Sequence, residues 1–287
     1  MREHFLAAQA IVLVGGRAFV AYPYRAAEPV PEGVAVLHVA DNPEAFGREH
    51  AADMALLGEI GQTLAAAAER LRALLDQESV AARLAARGAH KCAATQALRA
   101  QIIAESADAP LTADAAVLAA LDALPDDALI ANDSAATFGR VQDLLTTRPG
   151  RYFFSRGGVL GCNMPAAVGA SLATGGWVAS FMGDGGAMYS PQALWSAAHY
   201  RARIIAFVFN NRRYGVLQSA ARQLGYANAL AGRFVGMEVV DPAIDFQALA
   251  ASMGAPAERA DDREAIAAAV ARALRRDGPS LIEIRIR

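Results

Sequence analysis

The chain has 287 residues, 54% hydrophobic and 20% charged, with a formal net charge of −2. This is a globular composition, long enough for more than one core, and the near-neutral balance gives no electrostatic basis for binding nucleic acid or an anionic membrane. The two cysteines, Cys92 and Cys162, stand far apart with no CxxC spacing, which fits a reduced cytoplasmic protein and not a disulfide framework.

In chain order, residues 10–16 (AIVLVGG) and 33–40 (GVAVLHVA) are apolar runs of strand length that end at Gly or before Asp41-Asn42. Continuous apolarity suits strands of a parallel sheet covered on both faces. The first run is too short, and follows Glu3 too closely, to be a secretion signal. Residues 51–76 are rich in Ala and Leu with charges at helical spacing, and one or two helices are expected. Residues 77–95 show weak apolar periodicity and are expected to be a linker or interdomain helix.

Strand–helix alternation then resumes. A helix is expected over 111–127, with Thr112 as its N-cap. A strand over 128–133, a helix near 136–146 and a short strand over 151–155 follow. Residues 164–174 form a helix with Pro165 in its first turn, where a missing N–H costs little. Residues 164–182 are uncharged, but Gly175-Gly176 divides them into helix and strand, so no membrane span is expected. Later come a strand ending at Asp184, a helix from Ser190-Pro191, and a strand ending at Asn211. The chain closes with helices in DFQALAASMG and REAIAAAVARALRR and a strand in SLIEIRI. This alternation predicts α/β layers around parallel sheets.

The unit from Asp184 to Asn211 carries the chemical signal. A right-handed crossover returns the chain to the same sheet edge, so both residues sit just past the carboxyl ends of strands. That edge is where open α/β sheets bind ligands. A carboxylate, an amide oxygen and a nearby main-chain carbonyl form half an oxygen shell for Mg²⁺, which a diphosphate and water would complete. No GxGxxG follows a strand, which argues against a nicotinamide-binding protein.

GDG followed by NN at this spacing resembles the thiamine-diphosphate binding motif. The segments GGVLGCNMPAAVGA, GDGGAMYSPQALWSAAHY and NNRRYG resemble the 2-oxo-acid decarboxylase and carboligase branch of that family, which includes benzoylformate decarboxylases and acetolactate synthases. The resemblance implies a doubly wound parallel sheet over 96–287 that binds the diphosphate. It also implies a partial Rossmann-like middle domain over 1–76, with 77–95 between them. Side chains of Asp184 and Asn211, and the main-chain carbonyl of Arg213, would ligate Mg²⁺. Gly185, Gly186 and Tyr189 would contact the diphosphate. Leu160 would wedge the cofactor into a bent shape, with the Gly158 carbonyl accepting from its amino group. Ser134 and Thr137 remain as candidate diphosphate contacts, because Ala135 and Ala136 replace the polar residues usual among relatives. Arg212-Arg213 stand where many relatives have Gly and a small residue.

The family's pyrimidine-binding domain, which carries the activating glutamate, has no counterpart in the sequence, and no histidine here matches a catalytic one. The resemblance therefore implies the carboxyl-terminal half of a decarboxylase for a 2-oxo acid, needing that domain from a partner. In complete form it would be a homo-oligomer. An acetolactate-synthase-like carboligase and a non-catalytic fragment of the same fold are the alternatives.

Overall fold

A computed structural model describes residues 5–6, 8–16, 28–106, 110–135, 137–145, 150–154 and 159–287. The chain divides into two compact units, Met1–His90 and Lys91–Arg287. In the first, β1 (Ala10–Val14), β2 (Ala35–Ala40) and β3 (Met54–Leu57) pair in parallel in that order, with Ile11 opposite Val36 and His38 opposite Ala55. Ile11, Leu13, Val30 and Val36 form its core. Helix α1 (Ile60–Leu74) starts at Glu59, whose carboxylate accepts from the Gly61 and Gln62 amides at 3.0 and 2.6 Å.

Residues 51–76 therefore hold a strand and a helix where helices alone were expected. The segment Met-Ala-Leu-Leu has no strand propensity of its own, and pairing with β2 decides its state. Residues 77–95 belong to α2 (Gln77–Ala104), which runs through the boundary between the units. Its abundant alanine favours helix without any strong apolar stripe.

The second unit continues through α3 (Ala113–Ala123), β4 (Leu129–Asn132), α4 (Phe138–Leu144), β5 (Tyr152–Phe154), α5 (Asn163–Thr174) and β6 (Val178–Gly183). After β6 come α6 (Ala193–Tyr200), β7 (Ile204–Asn210), α7 (Gly215–Gln223), α8 (Phe246–Ser252), β8 (Ala257–Ala260), α9 (Arg263–Leu274) and β9 (Ser280–Arg285). Thr112 caps α3 by accepting from the Ala115 amide, as expected. All six strands are parallel, in the order β5-β4-β6-β7-β9-β8.

Every residue of β7 is buried, so it lies at the centre of the sheet. Phe181, Phe207 and Ile282 point to a core shared with α3 and α9, while Met182, Val208 and Leu281 point to one shared with α5, α6 and α8. The sheet is thus doubly wound, as expected. Strand β8 and helix α7 were not foreseen: Ala-Glu-Arg-Ala is a polar edge strand whose pairing with β9 specifies it. No helix among the described residues is long and apolar enough to cross a membrane.

From β4 the chain moves to β5 on one side, then crosses back to β6 on the other. Loops leaving β4 and β6 diverge, and a crevice opens at their carboxyl ends.

Candidate functional site

Loops after β4, β6 and β7, together with the segment before α5, enclose a cavity of about 320 Å³. Ser134, Leu160, Asp184, Gly185, Gly186, Tyr189, Asn211 and Arg213 all line it, as does Thr137. Gly158 lies outside the described residues. Among the described residues no histidine lines the cavity; His199 is exposed on α6, stacked on Trp195 with ring centroids 5.0 Å apart.

Asp184 opens a single helical turn, Asp184–Ala187, directly after β6, and is only 4% exposed. Its Oδ1 accepts from the Gly185 amide at 2.8 Å, while Oδ2 is buried with no hydrogen-bond partner. Burial pushes this carboxyl above the usual carboxylate range, and the amides of Gly185, Arg212 and Arg213 pull it back. Asp184 lines one cavity with Asn211 and Arg213 of the loop after β7, so both ends of the crossover meet there. Asn211 Oδ1 accepts from the Arg213 amide at 3.1 Å, and the Arg213 carbonyl accepts from the Gly215 amide at 2.9 Å. Each of these oxygens keeps a second lone pair.

Two glycines are sterically required. A Cβ on Gly185 would come within 2.5 Å of the Tyr214 ring. Gly161 has φ +87°, and a Cβ there would meet Tyr189 Cβ at 2.3 Å. Gly161 also ties three loops together: its amide donates to Asp133 Oδ2 at 3.0 Å, and its carbonyl accepts from the Ser190 hydroxyl. Ser190 therefore braces Gly161 rather than starting a helix; α6 begins three residues later, at Ala193.

Asp133 is the site residue that the sequence reading passed over. It lines the same cavity, its Oδ1 is buried without a partner, and burial raises its pKa while the amides of Gly161 and Asn163 oppose that. The signal was present: like Asp184, it is a carboxylate just past a buried strand. Thr137 is buried with an unpartnered Oγ1.

An orphaned buried carboxylate oxygen favours a cation, and the accompanying donors are hard oxygens, which fit Mg²⁺. Among the described residues no three His, Cys, Asp or Glu side chains converge. A cation here would thus rely on one carboxylate, one amide oxygen and one carbonyl, leaving positions for an anionic ligand.

Residues 136–284 match the family model "Thiamine pyrophosphate enzyme, C-terminal TPP binding domain". The chain is 34% identical over 278 residues to a benzoylformate decarboxylase of Pseudomonas aeruginosa, covering 96% of this chain and 48% of that protein. It is 26% identical over 254 residues to an acetolactate synthase large subunit of Parasynechococcus marenigrum, covering 88% and 39%. Among solved structures, a thiamine diphosphate-dependent 4-hydroxybenzoylformate decarboxylase from Rhodococcus jostii superposes with a TM-score of 0.77 at 27% identity, covering 99% of this chain and 50% of the other. A benzoylformate decarboxylase from Polynucleobacter necessarius superposes with a TM-score of 0.79 at 21% identity, with the same coverage. The chain spans about half the length of the benzoylformate decarboxylases it matches.

Proposed function

The chain belongs to the thiamine pyrophosphate enzymes, and we propose that it forms the Mg-diphosphate half of a benzoylformate-decarboxylase-like active site. The observation that carries this reading is the open Oδ2 of buried Asp184, in one cavity with Asn211 and Arg213.

In this reading Asp184, Asn211 and the Arg213 carbonyl hold Mg²⁺. Gly185 and Gly186 let the diphosphate approach main chain, since neither projects a side chain into its path. Tyr189 and Ser134 border the same space. Leu160, on the cavity wall, supports the ring portion of the cofactor. When bound, thiamine diphosphate supplies an electron sink for loss of CO₂ from a 2-oxo acid. The chain's own residues bind and orient it; the carboxylate that activates the ring comes from a pyrimidine-binding domain on a partner. The complete assembly is a cytoplasmic homo-oligomer. A carboligase of the acetolactate-synthase kind is the second reading, supported by similarity over 88% of the chain.

Titration of thiamine diphosphate into the purified chain, with and without Mg²⁺, tests the reading. Weak, Mg²⁺-dependent binding is expected, lost in Asp184→Ala. Binding that is unchanged in that variant removes the metal assignment. No turnover of benzoylformate or pyruvate is expected from the chain alone; robust cofactor-dependent turnover would overturn the need for a partner. Product analysis with a pyrimidine domain supplied separates decarboxylase from carboligase.

A further inference from the structure

Asp184 and Arg212 also line a second cavity, of about 180 Å³, with Asn210, Arg259 and Glu283, a polar cluster that the cofactor reading does not use. Glu283, near the end of β9, is 1% exposed. A buried carboxylate is costly unless hydrogen bonds and charge compensate it. Here Asn210 Nδ2 donates to Oε1 at 2.7 Å, while Gln247 Nε2 and Arg259 Nε donate to Oε2 at 2.9 and 3.1 Å. Arg259 supplies the countercharge.

The consequence runs through Asn210. A carboxylate only accepts hydrogen bonds, so the amide nitrogen of Asn210 must face Glu283 and its oxygen must face the other way. That oxygen accepts from the Arg212 amide at 3.0 Å. Arg212 has φ +57°, the left-handed region that suits glycine and strains a longer side chain. Immediately beyond, Asn211 Oδ1 receives the Arg213 amide, so two successive side-chain-closed turns set the loop. The Arg212 carbonyl and the Tyr214 amide then bond to Val239 and Met237.

We propose that Glu283 is a positioning residue for the cation site. By orienting Asn210 it holds Arg212 left-handed, and so aims the oxygens of Asn211 and Arg213 at the metal. This rests on the cation reading of Asp184 given above. It explains how arginine is tolerated at a backbone conformation that favours glycine. It also predicts a specific rescue: glycine at 212 adopts this φ unaided, and should release the loop from its dependence on Glu283.

The test uses the full chain as Glu283→Gln, alone and combined with Arg212→Gly. Glutamine keeps the shape of Glu283 but adds an N–H donor that opposes either Asn210 or the Gln247–Arg259 pair. In the metal-free chain, amide hydrogen exchange across residues 211–215 should quicken at least tenfold in Glu283→Gln and return toward wild type in the double variant. With Mg²⁺ titrated at fixed thiamine diphosphate, the single variant should bind Mg²⁺ about tenfold more weakly, and the double variant should recover most of that loss. The thermal midpoint, lowered by loss of the buried network, should stay low in both. Unchanged loop exchange in Glu283→Gln overturns the proposal, as does affinity that follows the thermal midpoint instead of the 212 substitution. A wild-type chain that binds no Mg²⁺, or an Asp184→Ala variant that binds equally well, overturns the cation reading instead; the exchange data still decide whether Glu283 holds the loop.

Discussion

Two carboxylates, Asp133 and Asp184, each present a buried oxygen without a partner to one cavity, and burial raises the pKa of both. For Asp133 the pH consequence follows by linkage. Its folded pKa lies above the unfolded value near 3.8, so within that interval the folded chain binds more protons than the unfolded one. Stability therefore falls as pH rises through the interval and stays reduced above it. Asp133→Asn removes the ionisation, so its stability relative to wild type should improve as pH rises from 3.8 towards 7. It should also flatten the stability profile above pH 3.8, as followed by urea midpoints across pH. If the cavity takes a diphosphate, the same substitution should tighten its binding by removing a like charge. Weaker binding would instead make Asp133 a second cation ligand. At this scale the sequence revealed Asp184 and Asn211 because their spacing fits a crossover. Asp133 has no second residue at a telling spacing, and the Glu283 cluster joins residues up to 73 positions apart, so neither stands out in the sequence.

Among elements, the β6–α6–β7 unit was legible because β6 and β7 are continuous apolar runs, and burial on both faces makes such runs unambiguous. Strands β3 and β8 were not, because pairing with a neighbour specifies them rather than their composition. The connection between elements that matters most for the site is Gly161. It joins the loop after β4, through Asp133, to the segment before α6, through Ser190. Gly161→Ala meets a positive φ and a backbone-proximal clash with Tyr189 Cβ at 2.3 Å, neither of which a rotamer change relieves. Left-handed strain of about 1–3 kcal/mol and overpacking of similar size predict a loss of roughly 2–6 kcal/mol. Chemical denaturation measures it. A loss below about 0.5 kcal/mol, the usual scale for a neutral surface change, would mean the loop moves freely and braces nothing.

For the whole molecule, the two units have unequal means of staying folded. The second unit holds two extended cores, one on each face of a six-stranded sheet. The first relies on a three-stranded sheet whose core cluster comprises Ile11, Leu13, Val30 and Val36. Val12 and Val14 on β1, Leu56 on β3, and Leu64, Leu71 and Leu74 on α1 are all exposed, and α1 buries no residue at all. Parallel strands are ordinarily covered on both faces. Among the described residues, these exposed side chains leave the first unit less apolar burial than the second. Local stability tracks buried apolar contact, so the two units should not unfold together. Native-state hydrogen exchange in increasing urea should expose the amides of β1, β2 and β3 well before those of β6, β7 and β9, and an apolar dye should bind before the second unit melts. A single transition shared by both sets of amides would show that the first unit is stabilised by more than its own core.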